Sequence, residues 1–280
     1  MQLMKMHPKD LYLDLLKKSL SFTLWPEPPI PVTTFAYAAG FLKRVAIMTV
    51  SKMLATRDLQ LVKKRGFSEY QRQEGRVWPG YADTMIGLKR LDNLQECIES
   101  VIEEGIGGDL IETGVWRGGA CIFMRGVLAA YQIQDRRVFV ADSFQGLPPP
   151  APKRYPADAG DAFHRQEFLR VSEEEVRKNF ARYGLLDEQV VFLKGWFKDT
   201  LPTAPITRLS ILRLDGDMYE STLDALTHLY PTLSPGGFCI IDDYAEHGCR
   251  QAVDDYRDAH QIRDEMHIID WTGRYWKKSA

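Results

Sequence analysis

Four acids at two short spacings promise chemistry: Asp215 and Asp217 in LRLDGDMYES, and Asp242 and Asp243 in FCIIDDY. Each pair directly follows an apolar run, LSILRL or GGFCII, with the length and composition of a buried strand. Parallel strands that follow one another in the chain commonly lie side by side, which would bring all four carboxylates to one edge of a sheet. Bare acids so close repel one another unless a cation or a shared proton relieves them. Carboxylate oxygens without accompanying His or Cys suit Mg²⁺, Mn²⁺ or Ca²⁺ better than zinc. The plainer alternative is that these acids cap helices or pair with Arg213 and Arg250. With a divalent cation in place, the site could hold a hydroxyl, lower its pKa and pass its proton to a neighbouring acid. Read as extended strand, Asp215 and Asp217 point to the same face, so that one ligates while the other takes the proton. His247, in the loop after the second run, is a rival base whose plain reading is a solvated loop histidine.

A second constellation lies upstream, in Glu112-Thr-Gly-Val-Trp-Arg-Gly-Gly119 after the apolar DLI. Gly114, Gly118 and Gly119 permit a tight turn and close backbone approach to a ligand, and a helix beginning there offers free N–H groups. About thirty residues on, RVFVADSF ends in Asp142, where an acid can accept hydrogen bonds from both ribose hydroxyls of a nucleoside. The E-x-G-x-x-x-G spacing lacks the GxGxxG arrangement that seats a pyrophosphate, whereas Glu112 suits a ligand with an amino-acid end. This favours S-adenosylmethionine over a nicotinamide cofactor. Taken singly, the turn could be merely structural, and Asp142 a loop acid or helix cap.

These residues need a scaffold, and the chain supplies one by alternation. DLIETGVW, RVFVADSF, QVVFLKGWF, LSILRLDGD and GGFCIIDDY are separated by helical patterns and followed by a closing HIIDWTGRYWKKS that reads as an edge hairpin. Such alternation predicts an α/β fold with a mostly parallel, doubly wound sheet. Ahead of it, apolar residues at Ile86, Leu88, Leu91, Leu94, Ile98, Val101 and Ile102 predict a helix over 83–104. Residues 1–80 read as a helical extension, with a helix-like LYLDLLKKSL and the proline-rich WPEPPIPVTT, attached to a catalytic unit at 81–280. The stretch over 33–54 is apolar but carries Lys43, Arg44 and Lys52, too polar for a membrane span and suited to a helix on the body or at a subunit interface. Lysines at 5, 9, 17 and 18 interrupt any secretory signal, which predicts a cytoplasmic protein.

The 280 residues carry 36 basic and 38 acidic side chains, a formal net charge of −2 that offers no field for nucleic acid. A small-molecule acceptor is the expected partner. The cysteines at 97, 121, 239 and 249 have no CxxC pairing and read as reduced thiols.

TMIGLKRLDNLQ, IETGVWRGGA, ADSFQGLP, NFARYGL, GWFKDTLP, LRLDGDMYEST and LYPTLSPGGFCIIDDY together resemble the macrocin O-methyltransferase family, in order and with similar spacing, from about Trp78 to Trp276. The resemblance implies a Rossmann-like class I methyltransferase with a seven-stranded sheet. Family members are metal-dependent enzymes of antibiotic biosynthesis that methylate hydroxyls on deoxysugars of macrolides and aminocoumarins, with S-adenosylmethionine as donor. Carried over by position, it implies Asp215, Asp242 and Asp243 as ligands of Mg²⁺ or another divalent cation such as Mn²⁺, and Asp217 as general base. It also implies that Thr84 and Met85 close over the cofactor's methionine end. By the same resemblance Trp196, with its neighbours Gly195 and Phe197, looks like part of the adenine pocket, the plainer alternative being packed core aromatics, and Arg117 and Ser143 join the expected cofactor residues within their motifs. Residues 148–170 resemble the family's mobile lid, and a homodimer is the family habit. The first seventy or so residues are expected to depart from the family. Expected activity is methylation of a sugar hydroxyl on a secondary metabolite, with a catechol or phenol acceptor, or a non-catalytic nucleotide-binding role, as alternatives.

Overall fold

The computed structural model describes residues 7–33, 36, 40–64, 66–77 and 80–279. Lys5, Trp78 and residues 34, 35 and 37–39 of the apolar stretch lie outside the described residues. Ahead of the sheet come α1 (Pro8–Leu20), a two-residue strand β1 (Ile30–Pro31), α2 (Phe41–Ala55), β2 (Val62–Lys63), which pairs antiparallel with β1, and the short α3 (Glu69–Gln73). Then follow α4 (Leu88–Glu103), β3 (Asp109–Thr113), α5 (Gly119–Ala130), β4 (Val138–Asp142), α6 (Glu173–Arg182), β5 (Val190–Lys194) and α7 (Phe197–Thr200). The chain closes with β6 (Leu209–Leu214), α8 (Tyr219–Leu229), β7 (Leu233–Ile241), α9 (His247–Ala259), β8 (His267–Ile268) and β9 (Arg274–Lys277).

Strands β3 to β9 form one seven-stranded sheet in the order β5-β4-β3-β6-β7-β9-β8. The first five pair in parallel, and the terminal hairpin β8–β9 adds antiparallel to β7. This is the expected doubly wound α/β fold. The apolar runs are strands because both faces are covered: along β3, Leu110 packs with α4 and α5, whereas Ile111 packs with α8 and α9. In β4, Val138 and Val140 join the first core, and Phe139 and Ala141 the second. All four cysteines are buried and unpaired.

One expectation about the front of the chain is corrected. The helix expected over 83–104 begins only at Leu88, with Gly87 as its cap residue, so residues 83–86 lie ahead of it. Within residues 1–80 the two longer helices pack differently. Leu13, Leu16 and Leu20 of α1 are buried in the same core as α4 and α5, because their spacing sets one apolar stripe against the body. In contrast α2 buries none of its residues, and Phe41 and Leu42 are 79% and 83% exposed. Among the described residues no helix is long and apolar enough to cross a membrane.

Candidate active site

A cavity of about 590 Å³ opens at the carboxyl ends of β3, β4, β6 and β7. Its centre is the point where chain order departs from β3 in both directions, to β4 on one side and β6 on the other, the usual seat of a ligand in such sheets. The volume suits a nucleoside together with a small acceptor. Thr84, Met85, Glu112, Gly114, Asp142, Ser143, Gly195, Trp196 and Phe197 line it, as do Asp215, Asp217, Asp242 and Asp243.

Backbone geometry shapes the β3–β4 side. Gly114 has φ +87°, and a Cβ there would fall 1.7 Å from the carbonyl oxygen of Asp215, so only glycine fits where the two strand ends lie against each other. Asp142 clasps this turn: Oδ2 accepts the Val115 N–H at 2.8 Å and Oδ1 accepts the Phe144 N–H at 2.6 Å. Burial raises its carboxyl above the ordinary range, opposed by those backbone donors. The Ser143 hydroxyl donates to the Gly146 carbonyl at 2.7 Å and fixes the start of the following loop. Glu112, 2% exposed, pairs with Arg213 and accepts the Cys121 thiol at 3.0 Å. Burial is the main cause that raises its carboxyl, against the pull of Arg213.

Three expected cofactor residues lie elsewhere. Arg117 reaches away from the cavity, its Nη1 donating to the carbonyls of Gly80 at 3.0 Å and Ala82 at 2.7 Å. A Cβ on Gly118 would press on Val176 of α6 at 2.7 Å, and one on Gly119 would strike the Asp83 carbonyl at 2.4 Å. These glycines are small so that α6 and the segment before α4 can approach, and Arg117 ties that segment down.

Charge shapes the β6–β7 side. One carboxylate oxygen from each of Asp215, Asp242 and Asp243 lies within 4.8 Å of the others. The idea that Asp215 and Asp217 share an extended strand is corrected, because β6 ends at Leu214. Asp217 instead sits in a turn at φ +58°, an uncommon backbone state for a non-glycine residue, and its N–H donates to Asp243 Oδ2 at 3.1 Å. Both oxygens of Asp242 are held, one by Arg90 and the other by Arg213. Arg213 also donates to Asp215 Oδ2 at 2.8 Å, so part of the plainer reading holds, while Arg250 stands exposed on α9. The ion pairs of Arg90 and Arg213 go to Asp242, Asp270, Glu112 and Asp215, leaving the carboxylates of Asp217 and Asp243 outside them. Both acids are raised well above the ordinary range, first by burial and then by repulsion from the neighbouring acids. His247 is the first residue of α9, not a loop residue, and is exposed.

This donor set fits a hard divalent cation. Three carboxylate oxygens converge, and two buried arginines leave negative charge uncompensated. Sequence reasoning missed Arg90, which lines the cavity and also forms an ion pair with Asp270 at 2.9 Å. Its signal was present: Arg90 lies four residues before Leu94 on the buried face of α4, where an unpaired charge would be costly. Thr272 was also missed; it lines the cavity beside β9, and its hydroxyl donates to the Asp242 carbonyl at 3.0 Å.

Comparison with known proteins adds independent findings. The family model for macrocin-O-methyltransferase (TylF) matches residues 9–278. The chain is 49% identical over 274 residues to the mycinamicin III 3''-O-methyltransferase of Micromonospora griseorubida, covering 97% of each chain. It is 50% identical over 272 residues to the demethyldecarbamoylnovobiocin O-methyltransferase of Streptomyces niveus, covering 96% of this chain and 94% of that one. The solved structure of the O-methyltransferase NovP superposes with a TM-score of 0.83 at 48% identity, over 97% of this chain and 100% of the other. Because these matches run through α1 and α2, the first seventy residues are shared with relatives, and the expectation that they depart from the family is corrected.

Proposed function

The chain belongs to the macrocin O-methyltransferase family and is an S-adenosylmethionine-dependent O-methyltransferase, and we propose that it methylates a sugar hydroxyl of a natural product with the help of Mg²⁺. The observation that carries the proposal is the convergence of Asp215, Asp242 and Asp243 beside the Gly114 turn, which supports a cation held next to the cofactor. The sugar acceptor is supported by the relatives, whose names specify mycinamicin III and demethyldecarbamoylnovobiocin as substrates.

In this reading Gly114, Asp142 and Ser143 shape the ribose side, Trp196 and Phe197 flank the base, and Thr84 and Met85 close over the methionine end. Asp215, Asp242 and Asp243 hold the ion. When bound, S-adenosylmethionine supplies the sulfonium methyl group, and the cation supplies a Lewis acid that lowers the pKa of the acceptor hydroxyl. Asp217 would accept that hydroxyl's proton on its carboxylate, readying the oxygen for a transfer in which the sulfur–methyl bond breaks and S-adenosylhomocysteine leaves. Asp217 remains outside the ion pairs of Arg90 and Arg213, which supports it in that role. Residues 148–170 contribute Phe163 and Leu169 to the cavity lining, which supports a lid that would exclude water from the acceptor end.

The test is calorimetric titration of S-adenosylhomocysteine, followed by turnover with mycinamicin III, demethyldecarbamoylnovobiocin and catechol, each with Mg²⁺ and with EDTA. Expected are cofactor-product binding, turnover of a glycoside and its loss in EDTA. Turnover undiminished by EDTA would remove the metal from the proposal. Methylation of catechol with neither glycoside used would replace the sugar by a phenol.

A further inference from the structure

Resting on that reading, we propose that Asp158, in the lid over 148–170, is a positioning residue for Asp217: it caps α8 from across the cavity and so ties lid closure to the placement of the base. Helix α8 begins only two residues after Asp217, and its own cap residue, Met218, offers no side-chain hydrogen bond to the free N–H groups of the first turn. Asp158 supplies what Met218 lacks. Its Oδ1 accepts the Tyr219 N–H at 2.6 Å and its Oδ2 accepts the Glu220 N–H at 3.2 Å, across more than sixty residues of sequence. The carboxylate also lies on the positive end of the helix dipole.

Three further observations show a built contact. Asp158 is 3% exposed, unusual for an acid in an irregular surface segment. Gly248 in α9 leaves room for it, since a Cβ there would fall 2.6 Å from Asp158 Oδ1 and 2.9 Å from the Tyr219 nitrogen. The lid is fastened beside the same contact by the Tyr155 and Tyr219 rings, 5.7 Å apart, and at its far end by the Trp116 indole N–H donating to the Phe168 carbonyl at 2.8 Å.

The consequence for chemistry runs through a short piece of backbone. Met218 N–H donates to the Gly216 carbonyl at 2.6 Å, and Asp217 between them holds φ +58°, so the base sits on a tight turn braced at its downstream end by the capped helix. A strained turn keeps its shape only while its surroundings over-determine it. Lifting the lid withdraws Asp158, leaves two N–H groups without acceptors and frees that turn. Closing the lid over an acceptor restores both together.

Hydrogen–deuterium exchange on the full chain with S-adenosylhomocysteine bound tests this directly. Asp158→Ala is expected to speed exchange about tenfold at residues 215–220 and in the lid together, the scale of a lost helix cap, with the rest of the sheet unchanged. Asp158→Asn keeps an acceptor oxygen and should recover most of the protection. Gly248→Ala places a methyl where Asp158 sits and should reproduce the alanine variant with the carboxylate intact, although alanine is intrinsically the better helix former. With mycinamicin III and demethyldecarbamoylnovobiocin as acceptor probes, kcat falls about tenfold in Asp158→Ala while the affinity for S-adenosylhomocysteine holds. Unchanged exchange at 215–220 in Asp158→Ala would overturn the proposal, as would parallel losses of melting temperature, cofactor affinity and kcat. Failure of the wild type to bind S-adenosylhomocysteine would overturn the preceding functional reading instead, and the exchange comparison repeated on the free protein would still decide the role of Asp158.

Discussion

On the β3–β4 side of the cavity the geometry is carried by backbone, and on the β6–β7 side it is carried by charge. Gly114 turns under the Asp215 carbonyl where no side chain fits, and Asp142 spends its oxygens on backbone N–H groups. Across the cavity, four aspartates and two buried arginines set the field, and the strand end itself is irregular at Asp217. A backbone-built wall fails by steric collision, which unfolds protein. A charge-built wall can lose a charge to an isosteric amide, keep its fold and still lose its chemistry.

That contrast can be broken by experiment. The largest effect on the folded state is expected for Gly114→Ala, which puts a methyl into the Asp215 carbonyl and forces a left-handed alanine. A cost of about 4 kcal/mol or more follows, a fall in Tm of about 10 °C in a scanning melt. A variant that melts like the wild type would show that the contact is looser than its geometry. Asp217→Asn should be the mirror image: about 10² to 10⁴-fold less turnover, measured as kcat, with melting temperature and S-adenosylhomocysteine affinity held. Loss of metal affinity in that variant would exchange the roles of base and ligand. The smallest effect belongs to Asp142→Asn, in which one oxygen facing a backbone N–H becomes an NH₂ group. Roughly tenfold weaker S-adenosylhomocysteine binding is expected by calorimetry, with the sheet intact. No change would mean that the turn holds without its clasp.

Much of this arrangement was legible in the sequence, for reasons particular to each element. The five parallel strands announced themselves because strands covered on both faces are uniformly apolar, and their carboxyl ends marked where to look for acids. Asp215, Asp242 and Asp243 were found in this way, and the sheet places them together. What stayed hidden depends on contacts between distant segments. Gly118 and Gly119 look like cofactor glycines from spacing, yet their missing side chains make room for Val176 and Asp83. The turn at Asp217 breaks the strand pattern through a positive φ that no alternation of residue types signals. Arg90 announces itself only as a charge on a helix face that proves to be buried, and its partner Asp242 is 152 residues away.

The docking of α1 on α5 also bears on how the chain is made. Leu13, Leu16 and Leu20 leave the ribosome well before residues 119–130, the helix they pack against. At roughly 5–20 residues per second, synthesis of the intervening chain occupies several seconds. Throughout that interval the leucine stripe lacks its main partner, and it is an apolar face that a chaperone at the exit tunnel could hold until α5 arrives.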